Sequence, residues 1–131
     1  AMGALSAAWR NGGGNVIGLA PTASAAEVLA EDTGVTTDTM AKFVQLAEPA
    51  HRRSGPPPAA DEPARKWFKT IGPTTLLIVD EAGEASTFDL DAVIGHALAR
   101  GASVRLLRDT HFEHGGDALR AHGVVGFRAS P

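Results

Sequence analysis

Two adjacent carboxylates are the residues of this sequence best suited to chemistry. Asp80 and Glu81 directly follow a short apolar run, residues 76–79. A carboxylate at the end of a buried strand can hold Mg²⁺, directly or through water, and a second one can activate an attacking water. We therefore predict a site with Asp80 as metal ligand and Glu81 as catalytic residue. The structural alternative is that both acids only favour the amino end of the following helix.

A second set of polar residues follows another apolar run, residues 15–20. Pro21, Thr22 and Ser24 stand there, and Glu27 comes three positions after Ser24. This spacing is that of a capping box, so the hydroxyls are suited to begin a helix whether or not they also contact a ligand.

The remaining cluster of residues that could bind a metal ion lies in the carboxyl-terminal tail, residues 108–131. It consists of His111, His114 and His122, with Glu113 and Asp117 nearby. Two histidines at this spacing could share a metal ion, but no helix or strand is predicted around them. Loop histidines in solvent are the favoured interpretation.

Composition restricts the classes of protein to consider. The chain has 131 residues, which predicts one domain over residues 1–131. Its 12 basic and 15 acidic side chains give a net charge of −3 and no overall attraction for a phosphate backbone. The absence of cysteine excludes disulfides and thiolate sites. No apolar run is long enough to span a membrane, which predicts a soluble protein, and the absence of cysteine fits a cytoplasmic, reducing location.

Helices and strands alternate along the predicted chain. The strands are predicted at residues 15–20, 74–79 and 103–107, with a short edge strand at 123–127. Helices are predicted over Met2 to Trp9, from Thr22 or Ser24 to Gly34, from Thr36 or Thr37 through Leu46, up to Trp67 and Phe68, and from a Thr87 cap to Arg100, with a helical turn at 117–121. A proline-rich linker is predicted at residues 49–63. The alternation predicts an α/β fold with a short, mostly parallel sheet and helices on both faces.

In such a sheet, ligands bind beyond the carboxyl ends of the strands, where Asp80 and Glu81 fall. Residues 76–83 (Leu-Leu-Ile-Val-Asp-Glu-Ala-Gly) and 18–26 (Gly-Leu-Ala-Pro-Thr-Ala-Ser-Ala-Ala) resemble the motor domain of conjugative relaxase-helicases of the TrwC/TraI type, which are RecD-like superfamily-one DNA helicases. The resemblance covers about residues 1–107. It implies a RecA-like P-loop NTPase fold in three layers.

The resemblance also implies roles for the residues in these two motifs. Asp80 would bind the magnesium of a bound ATP and Glu81 would activate water. Pro21, Thr22 and Ser24 would contact single-stranded DNA.

Several departures from the family's pattern bear on activity. In the family, a glycine-rich loop ending in Gly-Lys-Thr precedes the helix that corresponds to Met2 to Trp9, and this sequence contains no Gly-Lys-Thr. The family's third motif after the strand at 103–107 is also missing, and Glu84 replaces an apolar residue. We therefore expect a truncated or degenerate motor that binds neither Mg²⁺ nor ATP by itself.

The resemblance places the strand at 103–107 at an open edge of the sheet. The unpaired N–H and C=O groups of such an edge can bind another strand. We therefore predict that residues 124–127 or a second copy of the chain pair with it. Three functions stay open: a helicase-family domain without ATP hydrolysis that retains weak single-stranded DNA or protein binding, a DNA-dependent ATPase subunit completed by another chain, and an interaction module that uses the exposed edge.

Overall fold

The computed structural model describes residues 2–48, 62–107 and 124–128. Within them the chain forms one five-stranded sheet with the order β2-β1-β3-β4-β5. The strands are β1 (Asn15–Ala20), β2 (Thr36–Thr39), β3 (Thr75–Val79), β4 (Ser103–Leu107) and β5 (Val124–Arg128). The first four are parallel, and β5 is antiparallel to β4. The predicted α/β class with a mostly parallel sheet is confirmed.

In the described part of the chain, five helices cover both faces of this sheet. They are α1 (Met2–Asn11), α2 (Ala23–Thr33), α3 (Met40–Ala47), α4 (Glu62–Lys69) and α5 (Thr87–Ala99), and a 3-10 turn forms over Ala82–Glu84. Leu5 and Trp9 of α1 pack on one face of the sheet, against Val16, Leu76 and Ile78. Helices α3, α4 and α5 pack on the other face, against side chains such as Ile17 and Leu77. The result is the predicted three-layer arrangement.

Strand β3 lies at the centre of the sheet and is buried along its whole length. Its apolar side chains alternate between the two faces, so a continuous aliphatic run satisfies both helical layers. Each such buried side chain stabilises the fold by about 1.5–3 kcal/mol relative to exposure. On β1, a side chain at position 18 would be crowded, because a Cβ there would lie 2.8 Å from Leu29 Cδ2 of α2. The core therefore sets the position of the strand ends where the site residues lie.

The prediction of one helix from Thr36 or Thr37 through Leu46 is wrong in its first part. Thr36–Thr39 is strand β2, which pairs in parallel with β1. Helix α3 begins only at Met40, where the Thr39 side chain accepts a hydrogen bond of 3.1 Å from the Lys42 N–H. β-branched threonines favour an extended chain when a neighbouring strand is available for pairing.

Of the two caps predicted for α2, Thr22 or Ser24, the structure uses Thr22, and the predicted cap of α5 is wrong by one residue. Helix α2 is capped by Thr22, whose hydroxyl accepts from the Ala25 N–H at 3.1 Å. The capping box of Ser24 and Glu27 is therefore wrong. Helix α5 is capped by Ser86, which accepts from the Asp89 N–H, and not by Thr87. In both cases the cap is the residue with extended backbone directly before the helix.

The predicted linker at residues 49–63 ends too late. Glu62 and Pro63 form the start of α4, and proline is tolerated there because the first helical N–H groups have no partner within the helix. The rest of the linker, residues 49–61, lies outside the described residues. The predicted helical turn at 117–121 and the cluster of His111, Glu113, His114, Asp117 and His122 also lie outside them.

The predicted strand in the tail is confirmed. Strand β5 pairs with β4 in a register that runs from Ser103 opposite Arg128 to Leu107 opposite Val124. The outer edge of β4 is therefore occupied by a segment of the same chain. Across the described ranges, no helix has the length and apolar character that crossing a membrane requires.

An aromatic cluster joins the three helices α3, α4 and α5. The His96 ring of α5 stacks on Phe68 of α4, with centroids 4.6 Å apart. It also meets the edge of Phe43 of α3 at 5.5 Å. Burial in this cluster lowers the pKa of His96, and the charge of Arg100 lowers it further.

The lowered pKa of His96 predicts a loss of stability in acid. The unfolded chain takes up a proton on this side chain as the pH falls below about 6.5, while the folded chain resists it. The free energy of unfolding should therefore fall as the pH drops through that value towards the lower folded pKa. Urea unfolding of the wild type and of His96→Phe between neutral and acid pH checks this. A difference between the two proteins that stays constant with pH would contradict it.

Candidate functional site at the carboxyl edge of the sheet

Asp80 lies directly after the central strand β3, at the carboxyl edge of the sheet. Its backbone N–H donates to the Leu19 carbonyl oxygen at 2.8 Å, which continues the pairing of β1 with β3 beyond the end of β3. The side chain is half-buried, and its Oδ1 accepts from the Glu81 N–H at 3.0 Å. The backbone of Asp80 is therefore held close to the end of β1.

Glu81 has a left-handed backbone, with φ 52° and ψ 41°. No other non-glycine residue in the described part of the chain has a positive φ. This conformation costs about 1–2 kcal/mol for a residue with a Cβ. It begins the 3-10 turn over Ala82–Glu84, in which the Glu84 N–H donates to the Glu81 carbonyl oxygen at 2.9 Å. Strained residues of this kind occur preferentially at functional sites.

The turn also tests the structural alternative for the two acids. Helix α5 begins at Thr87, well after Glu81, and its cap is Ser86. The acidic residue in its first turn is Asp89. Asp80 and Glu81 thus lie outside the first turn of α5, and the helical segment that directly follows them is the short 3-10 turn.

Pro21, Thr22 and Ser24 lie at the same edge of the sheet as the two acids. Strand β1 pairs with β3 up to Leu19 opposite Val79, so the residues that follow both strands come close together. Thr22 and Ser24 are exposed, and their hydroxyl oxygens are 3.4 Å apart. The Thr22 hydroxyl caps α2, as the sequence allowed. The structure brings the two predicted sets of site residues to one edge.

Strand β2 adds residues to this edge that the sequence analysis did not find. Thr39 is paired with Ala20 at the ends of β2 and β1. The Asp38 carboxylate accepts from the Thr39 N–H at 2.7 Å. These residues were missed because the segment was predicted as helix, although its three threonines are typical of a strand.

Comparison with known protein families decides the class of this fold. A family model described as AAA domain matches residues 1–115. The chain belongs to the AAA domain family. No curated protein and no solved structure matches the chain. The parallel sheet flanked by helices is consistent with the RecA-like P-loop fold, and the family match supports a domain of the helicase or ATPase type.

The edge of this AAA domain does not by itself fit a bound nucleotide. Asp80 supplies an oxygen ligand of the kind Mg²⁺ prefers. However, the described residues contain no group of three or more His, Cys, Asp or Glu that could hold a metal ion. The sequence contains no Gly-Lys pair, which the phosphate-binding loop would need. Glu84, exposed in the 3-10 turn, adds negative charge that would oppose a triphosphate.

A cleft at the opposite, amino edge of the sheet is unrelated to these carboxylates. It has a volume of ≈ 320 Å³ and is lined by Ala8, Trp9, Gly12, Gly14, Pro73 and Thr74. The Trp9 Nε1–H donates to the Thr74 carbonyl oxygen at 2.9 Å, and the ring packs against the core. Trp9 is thus a half-buried residue that packs against the core of the AAA domain.

Proposed function

We propose that this AAA domain belongs to the motor of a RecD-like DNA helicase of the conjugative relaxase type, and that residues 1–131 do not hydrolyse ATP by themselves. The observation that carries the proposal is the placement of Asp80 and Glu81. They follow the central buried strand directly, and Glu81 begins a strained turn. This is the position at which a motor domain of this kind would hold its metal-binding and water-activating carboxylates.

The loss of hydrolysis follows from the residues that would have to hold the phosphates. A triphosphate needs a glycine-rich loop whose backbone N–H groups and lysine neutralise its charge. The lysines of this chain are Lys42, Lys66 and Lys69, and none follows a glycine. Because residues 1–131 contain acidic groups at this edge and no such loop, these residues by themselves should not bind nucleotide.

A remaining contact with single-stranded DNA is the second part of the proposal. Thr22 and Ser24 are exposed, and Pro21 is half-buried. All three lie at the edge of the sheet where the resemblance to helicases implies that single-stranded DNA binds. The net charge of −3 provides no general attraction, so such binding should be weak and should depend on this local surface.

One alternative is favoured by a specific observation. The strained backbone of Glu81 has no role in a domain that does not hydrolyse ATP, although such strain occurs preferentially at functional sites. It would be explained if another chain supplied the phosphate-binding loop, with Asp80 then serving as metal ligand and Glu81 as catalytic residue.

Calorimetry with ATP and Mg²⁺ tests the first part of the proposal. Wild type and Asp80→Ala should both give no heat of binding, and neither should release phosphate. Glu84→Ala, at an exposed position, is a control for the removal of negative charge, and it too should give no heat. Binding or turnover that depends on Asp80 in the purified polypeptide would overturn the proposal.

Titration of labelled single-stranded DNA tests the second part. Binding should be detectable at low salt and should weaken at moderate salt, because phosphate contacts release counterions. No binding at either salt would eliminate the DNA contact.

A further inference from the structure

Phe88 is a large aromatic side chain that the fold does not use. Its side chain is 74% exposed. Within the described ranges, it is in neither of the two hydrophobic clusters and makes no ring contact. By contrast, Phe43 is buried, and Trp67 and Phe68 pack against the core. Packing among the residues that the structure describes therefore gives no reason for an aromatic ring at position 88.

The topology places Phe88 at the same edge of the sheet as the candidate site. Strands β3 and β4 are parallel neighbours, and α5 connects them. A helix in such a crossover runs back across the sheet, so it begins at the carboxyl edge of the strands. Phe88 is in the first turn of α5, so it lies at the edge that also carries Asp80 and Thr22.

The negative charges near Phe88 disfavour contact with phosphates and leave the neutral bases as the part of a nucleic acid that it can contact. Glu84, Asp89 and Asp91 are its acidic neighbours in sequence, and no lysine or arginine occurs between residues 80 and 99. Phosphates are repelled by such a segment. A nucleobase is neutral, and its face gains free energy by stacking on an exposed aromatic ring.

We infer that Phe88 is a stacking platform for a nucleobase of single-stranded DNA that passes over the carboxyl edge of the sheet. The phosphates of that strand would lie on the side of Thr22 and Ser24, away from the acidic first turn of α5. This inference rests on the DNA contact proposed above. It adds a residue whose contribution depends on the bases and not on the backbone charge.

The test compares two strands of equal length, oligothymidylate and an abasic strand that keeps the phosphates. Phe88→Ala should bind oligothymidylate roughly tenfold more weakly than the wild type, in line with measured contributions of base stacking. Its binding to the abasic strand and its salt dependence should be unchanged. Phe88→Trp should keep the wild-type affinity for oligothymidylate.

Val28→Ala is the matched control, because Val28 is the other exposed large hydrophobic residue described, at 55%. It should alter binding to neither strand. If wild type and Phe88→Ala bind oligothymidylate with equal affinity, the inference is overturned while the DNA contact stands. The same holds if Phe88→Ala weakens binding to oligothymidylate and to the abasic strand by the same factor. If the wild type binds neither strand, the proposed DNA contact fails and this inference fails with it.

Discussion

The substitution Gly14→Ala is expected to lower the free energy of unfolding by about 3 kcal/mol, from overpacking and a lost hydrogen bond. A Cβ at this position would lie 2.3 Å from Trp9 Nε1 and 2.6 Å from the Thr74 carbonyl oxygen. The indole must move, which breaks its 2.9 Å hydrogen bond to that oxygen. The carbonyl cannot move easily, because it also accepts from the Asn15 N–H at 3.1 Å.

Urea unfolding followed by circular dichroism measures this effect. Gly12→Ala is the control from the same turn, since a Cβ there would be no closer than 3.4 Å to another atom. It should leave stability nearly unchanged. A Gly14→Ala protein as stable as the Gly12→Ala protein would show that the close approach of Trp9 to this turn is wrong.

The substitution Thr75→Val is expected to lower stability by about 2 kcal/mol, because it leaves buried polar groups unpaired. Thr75 is fully buried. Its hydroxyl accepts from the Gly72 N–H at 3.0 Å and donates to Asn15 Oδ1 at 2.8 Å, with the Thr70 carbonyl oxygen at 3.1 Å as a second acceptor. Valine has nearly the same shape, so the loss would come from the hydrogen bonds and not from packing.

Thr75→Ser separates these two terms, because serine keeps the hydroxyl and loses only the methyl group. We expect it to be clearly more stable than Thr75→Val in the same urea experiment. The opposite order would mean that the methyl group matters more than the hydrogen bonds. Neither position is at the carboxyl edge, so neither variant that folds should alter DNA binding.

These two predictions concern the amino edge of the sheet, whereas the candidate site lies at the carboxyl edge. At the amino edge, Asn15, Thr70 and Thr75 link the starts of β1 and β3 to the end of α4 by hydrogen bonds between side chains. At the carboxyl edge, Thr22 and Ser24 are exposed, Asp80 is half-buried, and the strained Glu81 begins the turn after β3. Stability and candidate function are thus concentrated at opposite ends of the same strands.

Local sequence patterns determined much of this fold. The apolar runs at residues 15–20 and 74–79 predicted β1 and β3, because strands buried on both faces need uninterrupted aliphatic side chains. The position of Asp80 after such a run then predicted that it would lie at the carboxyl edge. Gly34 predicted the end of α2, where the structure shows φ 70°, a conformation that glycine adopts without strain.

Only the tertiary structure decided the features that depend on partners distant in sequence. Thr36–Thr39 becomes a strand because the edge of β1 is available to pair with it, and a local pattern cannot show that edge. The choice of Thr22 and Ser86 as caps depends on where each strand or turn ends in space. The left-handed Glu81 directly follows Asp80, whose N–H donates to the Leu19 carbonyl oxygen of the neighbouring strand. The sequence gives the side-chain types and their spacing, but the pairing of strands across the sheet determines which of these side chains come close together.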